Sequence, residues 1–273
     1  MFLTNNMNDF NSDCERCFSL CCIALPYAKS ADFAIDKEGG IPCPNLQSDF
    51  RCRIHNDLRN KGFKGCTSYE CFGAGQKVSQ ETFEGRDWRC HPELAKEMFE
   101  VFPIMQQLHE MLYYLTEALN LESTRQIHDE LKDSLEKTES LTNMKPKLMI
   151  ELNIPAHRTE VNNLLLKASE LVRSKAQQGK RKSKARKDFI GEKMKGAVLR
   201  GANLRGSLFI AADLRKADLG FTDLIGADFR DADLSGANLT GSIFLTQAQI
   251  NSANGDIHTK LPATLKVPSH WLK

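Results

Sequence analysis

The side chains able to do chemistry in this chain are its nine cysteines, Cys14, Cys17, Cys21, Cys22, Cys43, Cys52, Cys66, Cys71 and Cys90, all in the first third of 273 residues. Zinc and iron–sulfur clusters are held by deprotonated thiolates, commonly four to a structural site. The pair Cys14-x2-Cys17 puts two sulfurs on one local turn, near enough for one ion. Adjacent Cys21 and Cys22 point apart, so either one of them serves a given ion or the two join a binuclear site. His55, three residues after Cys52, is an optional nitrogen ligand. Cys90, beside His91 and distant from the others, is expected outside the site. The metal is zinc or iron, an iron–sulfur cluster included. Buried free thiols and a disulfide are the competing readings of the same clustering.

The context favours metal or redox chemistry over disulfides. The opening MFLTNNMNDFNSD has neither a basic start nor a long apolar stretch, so no secretory signal and a cytoplasmic location are expected. No apolar run reaches the ~18 residues of a membrane span. With 37 basic and 35 acidic residues and a net charge of +2, no charge excess dictates a partner. The run Phe72-Gly73-Ala74-Gly75-Gln76 fails as a dinucleotide fingerprint, because Val78 stands where a third glycine is required, and a turn is expected. P-loop, nucleophile-elbow, HExxH and kinase signatures are lacking.

Behind the cysteine-rich module of residues 1–92, residues 93–178 read as a helical domain. Leu94, Met98, Val101, Met105, Leu108, Leu112, Leu115 and Leu119 make one helical stripe, which Pro103 should kink or divide. Ile127, Leu131 and Leu135 suggest a second helix, and Val161, Leu164, Leu165, Ala168, Leu171 and Val172, after Pro155, a third. Residues 179–186 form a basic linker. A nucleic-acid phosphate contact through residues 180–187 is conceivable there but not favoured over a solvated linker.

From residue 187 the chain is strictly periodic. Phe189, Met194, Leu199, Leu204, Phe209, Leu214, Leu219, Leu224, Phe229, Leu234, Leu239 and Phe244 recur every fifth residue. Small residues such as Ala197, Ala202, Ala212 and Ala217 precede them by two, with Asp or Asn between in most units. Positions two apart in extended chain face the same way, so the small and large residues share an interior and the Asp or Asn faces out. A period of five fits neither a helix nor a flat strand; it fits a chain that turns a corner every five residues, with recurrent glycines at the corners. Phe189, Phe209 and Phe229, twenty apart, should then stack.

This pattern resembles the pentapeptide-repeat family, A(D/N)LxX, over about 60 residues. The resemblance implies a right-handed quadrilateral β-helix, four units to a coil, over residues 187–258 with a cap in LTQAQINSANGD. A tail, residues 259–273, should pack on the last coil or a partner. It also implies a non-enzymatic interaction or scaffold role. Some members shield their targets by imitating DNA, a protection or drug-resistance role that needs an acidic rod; residues 187–245 carry eight basic and eight acidic side chains, so mimicry ranks low.

The text PCPNLQSDFRCRIHNDLRNKGFKGCTSYEC with its cysteine opening resembles a bacterial zinc- or iron-chelating CxxCxxCC family over residues 14–71. Here three residues, not two, precede the Cys21–Cys22 pair. The resemblance implies metal ligation by Cys14, Cys17, Cys21, Cys22, Cys43, Cys52, Cys66 and Cys71. A metal-dependent or redox protein, with the repeat as a targeting handle, is the alternative function. A protein partner is expected on the repeat. On one wall Ile190, Leu208 and Ile210 lie outside and should receive the helical region; on the next, Lys193, Lys195 and Arg215 should stay open to solvent or a polar partner.

Overall fold

The computed structural model describes residues 6–176 and 187–272, which form two compact units. The first comprises residues 1–120 and 127–164; the second, residues 121–126 and 165–273. The basic linker, residues 179–186, lies outside the described residues, as does all but Lys187 of the 180–187 phosphate-contact segment.

In the first unit short turns carry the cysteines and long helices back them. Helix α1 (Leu20–Ala24), α2 (Lys64–Thr67) and α3 (Ala74–Lys77) are single turns or little more. They precede α4 (Pro92–Asn120), α5 (His128–Thr142), α6 (Pro146–Ile150) and α7 (Ile154–Ala176), whose second half belongs to the other unit. Pro103 lies inside α4 and does not divide it. The predicted stripe of α4 is a core face: Met98, Val101, Met105, Leu108, Leu112 and Leu115 are buried. Leu20 and Ile23 of α1, Ala74 and Val78 from the α3 region, and Met149 of α6 join Met98, Val101, Phe102 and Met105 in a single core. The cysteine-bearing turns therefore share their hydrophobic support with α4, which fixes where their backbones run. α6 escaped the periodicity argument because one turn of helix shows no repeat.

In the second unit the chain coils with a twenty-residue pitch. Parallel bridges join Lys193 to Asp213 to Asp233, Val198 to Asp218 to Asn238, and Asn203 to Asp223 to Ile243. Strands, and with them the expected strand-built β-helix, are not formed among the described residues; pairing comes as isolated bridges. Five residues per wall explain this, because the corner takes up most of each unit. The amide of Ala197 bonds the carbonyl of Met194 at 3.0 Å, and Gly196 between them has φ +69°. An i to i+3 bond with positive φ at the third residue alone is a type II turn. The interior is filled: Phe209, Leu214, Leu219, Leu224, Phe229, Leu234 and Leu239 are fully buried. Phe189 stacks on Phe209 at 4.9 Å and Phe209 on Phe229 at 5.1 Å, as the twenty-residue spacing requires.

The Asp or Asn of each unit does more than face water. Oδ1 of Asn203, Asp213, Asp218, Asp223, Asp228, Asp233 and Asn238 each accepts from the amide two residues on. The short side chain thus satisfies a corner amide that the ladder leaves over. The period ends where expected. α8 (Gln247–Ser252) opens on a capping box between Thr246 and Gln249. Gln249 Nε2 donates to the carbonyls of Leu224 and Ala227. Trp271 of the tail is buried in the same core, with Nε1 donating to the Ala253 carbonyl at 3.0 Å.

Candidate functional site

The nine cysteines are free thiols. Eight of them lie within residues 14–71 and fall into two neighbourhoods by the charges each thiol feels, while Cys90 stands apart, exposed beside Asp87.

The first group is Cys14, Cys17, Cys21 and Cys71. Cys17 and Cys71 flank α3 at Gly75: a Cβ built there would lie 2.6 Å from Cys17 Sγ and 4.0 Å from Cys71 Sγ. Gly75 is a packing glycine, and the neighbouring Gly73, with φ +80°, makes the turn the sequence suggested. The Ser12 hydroxyl lies 3.0 Å from Cys71 Sγ. Gln76 ties down the Cys14 segment, its amide donating to the Asn11 carbonyl and its oxygen accepting from the Asp13 amide. Burial pushes the Cys14 thiol up to about 11 and the Cys17 thiol up to about 12; the charge of Cys71 acts on both in the same direction. Tyr69 is placed among Cys21, Cys71 and Cys17, with burial and their negative charge pushing its hydroxyl far up. Its buried oxygen has no hydrogen-bond partner.

The second group is Cys22, Cys43, Cys52 and Cys66. The Cys43 amide bonds the Cys22 carbonyl at 3.0 Å, and the Leu46 amide bonds the Cys43 carbonyl at 2.9 Å. Leu46 in turn bridges Cys52. Cys66, on α2, feels Cys22, Cys43 and Cys52, though burial is the main cause that raises its thiol to about 12. Tyr27 donates from its hydroxyl to Cys43 Sγ at 3.3 Å and stacks on Phe33 at 4.3 Å. The Phe33 ring fills the space beside Gly65, next in sequence to Cys66.

The groups meet at Cys21 and Cys22, whose sulfurs are 3.9 Å apart. Their hydrogen bond raises the Cys21 thiol and lowers Cys22, which Lys37 lowers further. The charge of Cys22 also raises the Cys14 thiol, less than that of Cys71 does. Lys37 is buried, and its ammonium donates to the carbonyls of Ile23, Leu25 and Glu38. Lys37, Gly75 and the two tyrosines belong to the site but were not singled out by cysteine spacing; no motif marks them.

As they stand, no three His, Cys, Asp or Glu side chains among the described residues have converged to hold a metal ion, so the expected metal module is not seen as a formed centre. In donor chemistry the residues fit a thiophilic metal: eight thiols within residues 14–71, Gly75 leaving room for Cys17 Sγ, and the unpartnered Tyr69 hydroxyl beside the same Cys17, Cys21 and Cys71. His55 is exposed and lines a cavity with Cys14, Arg16, Gln76, His109 and Glu139.

On the coils, Lys193, Lys195 and Arg215 are exposed, as are Ile190 and Leu208, while Ile210 is half-buried. Arg173 near the end of α7 reaches the Gly201 carbonyl, on a different wall. Among the described residues no helix is long and apolar enough to cross a membrane.

A family model for pentapeptide repeats matches residues 193–231 and 207–245, with eight copies. The chain is 63% identical over 265 residues to a protein of Bacillus subtilis (strain 168) bearing the name uncharacterized protein YybG, covering 96% of this chain and 95% of that one. The chain therefore belongs to the same family as YybG, with pentapeptide repeats making up its C-terminal part.

Proposed function

We propose that this is a non-enzymatic interaction protein: a thiolate–metal module organises the N-terminal unit, and the repeat coils present a rigid binding wall to a protein partner. The observation that carries the reading is a fixed grid of charge over a fully packed interior. Lys193, Asp213 and Asp233 are bridged in one column, with Lys195 and Arg215 two residues on. Arg215 grips Asp213 through two bonds of 2.8 and 2.6 Å, so its guanidinium is held in place before any partner arrives. Such preorganised walls suit recognition, whereas a packed interior leaves a substrate no room. The coil is read as a right-handed quadrilateral β-helix on the family resemblance. Balanced charge speaks against DNA mimicry and the resistance role that depends on it.

A photo-crosslinking residue in place of Lys193 in the full chain tests the wall. We expect one discrete protein adduct, lost in a Lys195→Glu background of unchanged melting temperature. Adducts indifferent to that substitution would sink the reading. A redox role is the second reading, favoured by the lowered Cys22 thiol beside Cys21. Brown, oxygen-sensitive protein would support it, and colourless protein with stoichiometric zinc would count against it.

A further inference from the structure

We propose that two copies of this chain pair end to end at the first coil, the Asp188 edge of each lying antiparallel against the Lys193 edge of the other. This goes beyond the proposed function: it uses the end of the stack, whereas that reading uses the face of a wall.

Three observations carry it. The first is an asymmetry between the two ends. At the C-terminal end the ladder is continued, the Leu234 amide bonding the Asn254 carbonyl and the Leu239 amide that of Lys260, and Trp271 is buried in the core. At the N-terminal end Phe189, Met194 and Leu199 are only half-buried, while Phe209, Leu214 and Leu219, one coil on, are fully buried. A solenoid end left open in this way needs a cover.

The second is the backbone at that end. Inside the stack, the residue before each large one pairs with the preceding coil through both its amide and its carbonyl. Asp213 shows this, its amide bonding the Glu192 carbonyl and its carbonyl accepting from the Met194 amide. Asp188, Lys193 and Val198 hold the same place in the first coil, and neither their amides nor their carbonyls are bonded among the described residues. A bare row of donors and acceptors is a template for another chain. Two such residues set opposite each other in antiparallel register exchange two N–H···O bonds.

The third is charge, which selects both the occupant and the register. Two copies meeting end to end about a two-fold axis run antiparallel where they touch, and four walls allow four such axes. An axis through the first wall sets Asp188 against Asp188, and one through the second sets Lys193 against Lys193. An axis through the corner between the second and third walls leaves both charges opposite the neutral Val198 and Asn203. Only the axis through the corner at Gly191, between the first and second walls, sets Asp188 of each copy against Lys193 of the other, twice over. Both side chains are exposed, and Asp188 Oδ1 accepts from the Ile190 amide, which restrains the carboxylate. The opposite corner is Gly201, where Arg173 reaches in from α7 and where Gly201, Ala202 and Leu204 are buried. The first two walls are therefore the clear ones.

Sedimentation velocity of the full chain is the test, with Asp188→Lys, Lys193→Asp and their equimolar mixture. Reducing buffer keeps the exposed thiols of Cys14, Cys66 and Cys90 from cross-linking copies. Wild type should sediment as a dimer at micromolar concentration. Each variant alone sets like charges together twice and should dissociate about tenfold more readily or worse. The mixture should dimerise again, since every Asp188–Lys193 contact between the two different variants joins opposite charges. A monomeric wild type overturns the proposal, as do variants that dimerise like the wild type or a mixture no tighter than its components. Should a variant fail to fold, hydrogen exchange of the wild type decides. The amides of Asp188 and Lys193 must slow as the protein is concentrated, and exchange indifferent to concentration refutes the pairing.

Discussion

The two units reach order by opposite routes. In the coils every residue has a neighbour of the same kind twenty positions away, so stability is spread over many like contacts, each interior Leu or Phe adding about 2 kcal/mol. Around the cysteines there is no repetition. Single-turn helices rest on one face of α4, and particular atoms decide the arrangement, such as the missing Cβ of Gly75 or the ammonium of Lys37. A periodic structure tolerates loss of detail but not a wrong residue in a column. An aperiodic one depends on details that have no substitute.

The sharpest way to break this contrast is Leu219→Asp. Leu219 is fully buried in the column that includes Leu199 and Leu239. A carboxylate there has no partner, and a loss of about 4 kcal/mol or more, enough to melt the coils, is expected. Calorimetry should show the coil transition gone and cysteine alkylation rates in the first unit unchanged. An unaltered melting profile would mean that Leu219 is not interior.

A smaller effect separates the units by pH. His109 on α4 places Nδ1 2.8 Å from the Phe72 carbonyl, and burial lowers its pKa from 6.5 to about 4. The unfolded chain then takes up a proton that the folded ring refuses. The first unit should hold its full stability above pH 6.5 and lose on the order of 2 kcal/mol as pH falls toward 4. Residues 187–245 contain no histidine and only His258 and His270 lie in the cap and tail, so the coil transition should vary less than the first unit between pH 6.5 and about 5. Urea titrations of wild type, His109→Gln and His157→Gln check this, since burial lowers His157 in the same unit as well; a slope left unchanged by His109→Gln would assign the whole effect elsewhere.

The smallest effect sharpens the periodic side. Eleven successive corners from Gly191 to Gly241 have positive φ, and Ala211, Lys216, Phe221 and Asp231 fill four of them without being glycine. A left-handed alanine costs about 1–2 kcal/mol, whereas glycine costs about 0.5–1 in chain entropy. Ala211→Gly should therefore stabilise the coils by about 0.5 kcal/mol, read as a slightly raised midpoint in denaturant. Destabilisation would show that the Cβ of Ala211 makes contacts worth more than its strain.

Legibility in the sequence followed the same divide. The column of Phe189, Phe209 and Phe229, the cap after Phe244 and the buried face of α4 could all be read from spacing, because each is a period that burial enforces. Spacing could not show why Asp and Asn recur in the coils, since an Asx turn is local geometry. Nor could it show that α4 runs through Pro103, or which contacts hold the cysteine-bearing turns. Those contacts join residues well apart in the chain, as when the Cys43 amide bonds the Cys22 carbonyl or Tyr27 reaches Cys43 Sγ, and carry no sequence signal. The glycine pair at Gly73 and Gly75 read as a turn, and half of that was so; Gly75 instead makes room for a sulfur.

A chain that turns after every fifth residue has a quantised length. Loss of one unit rotates everything downstream by one wall, exchanging which face looks in which direction while keeping each leucine inside. Loss of four units returns every side chain to its own column and only shortens the stack. Loss of a number of residues that is not a multiple of five takes the leucines out of their interior columns at once. Descent in such a region can therefore proceed by gain and loss of whole units without passing through unfolded intermediates. The loops that carry Cys43, Cys52 and Cys66 have no such unit, and for them each insertion is a new geometry.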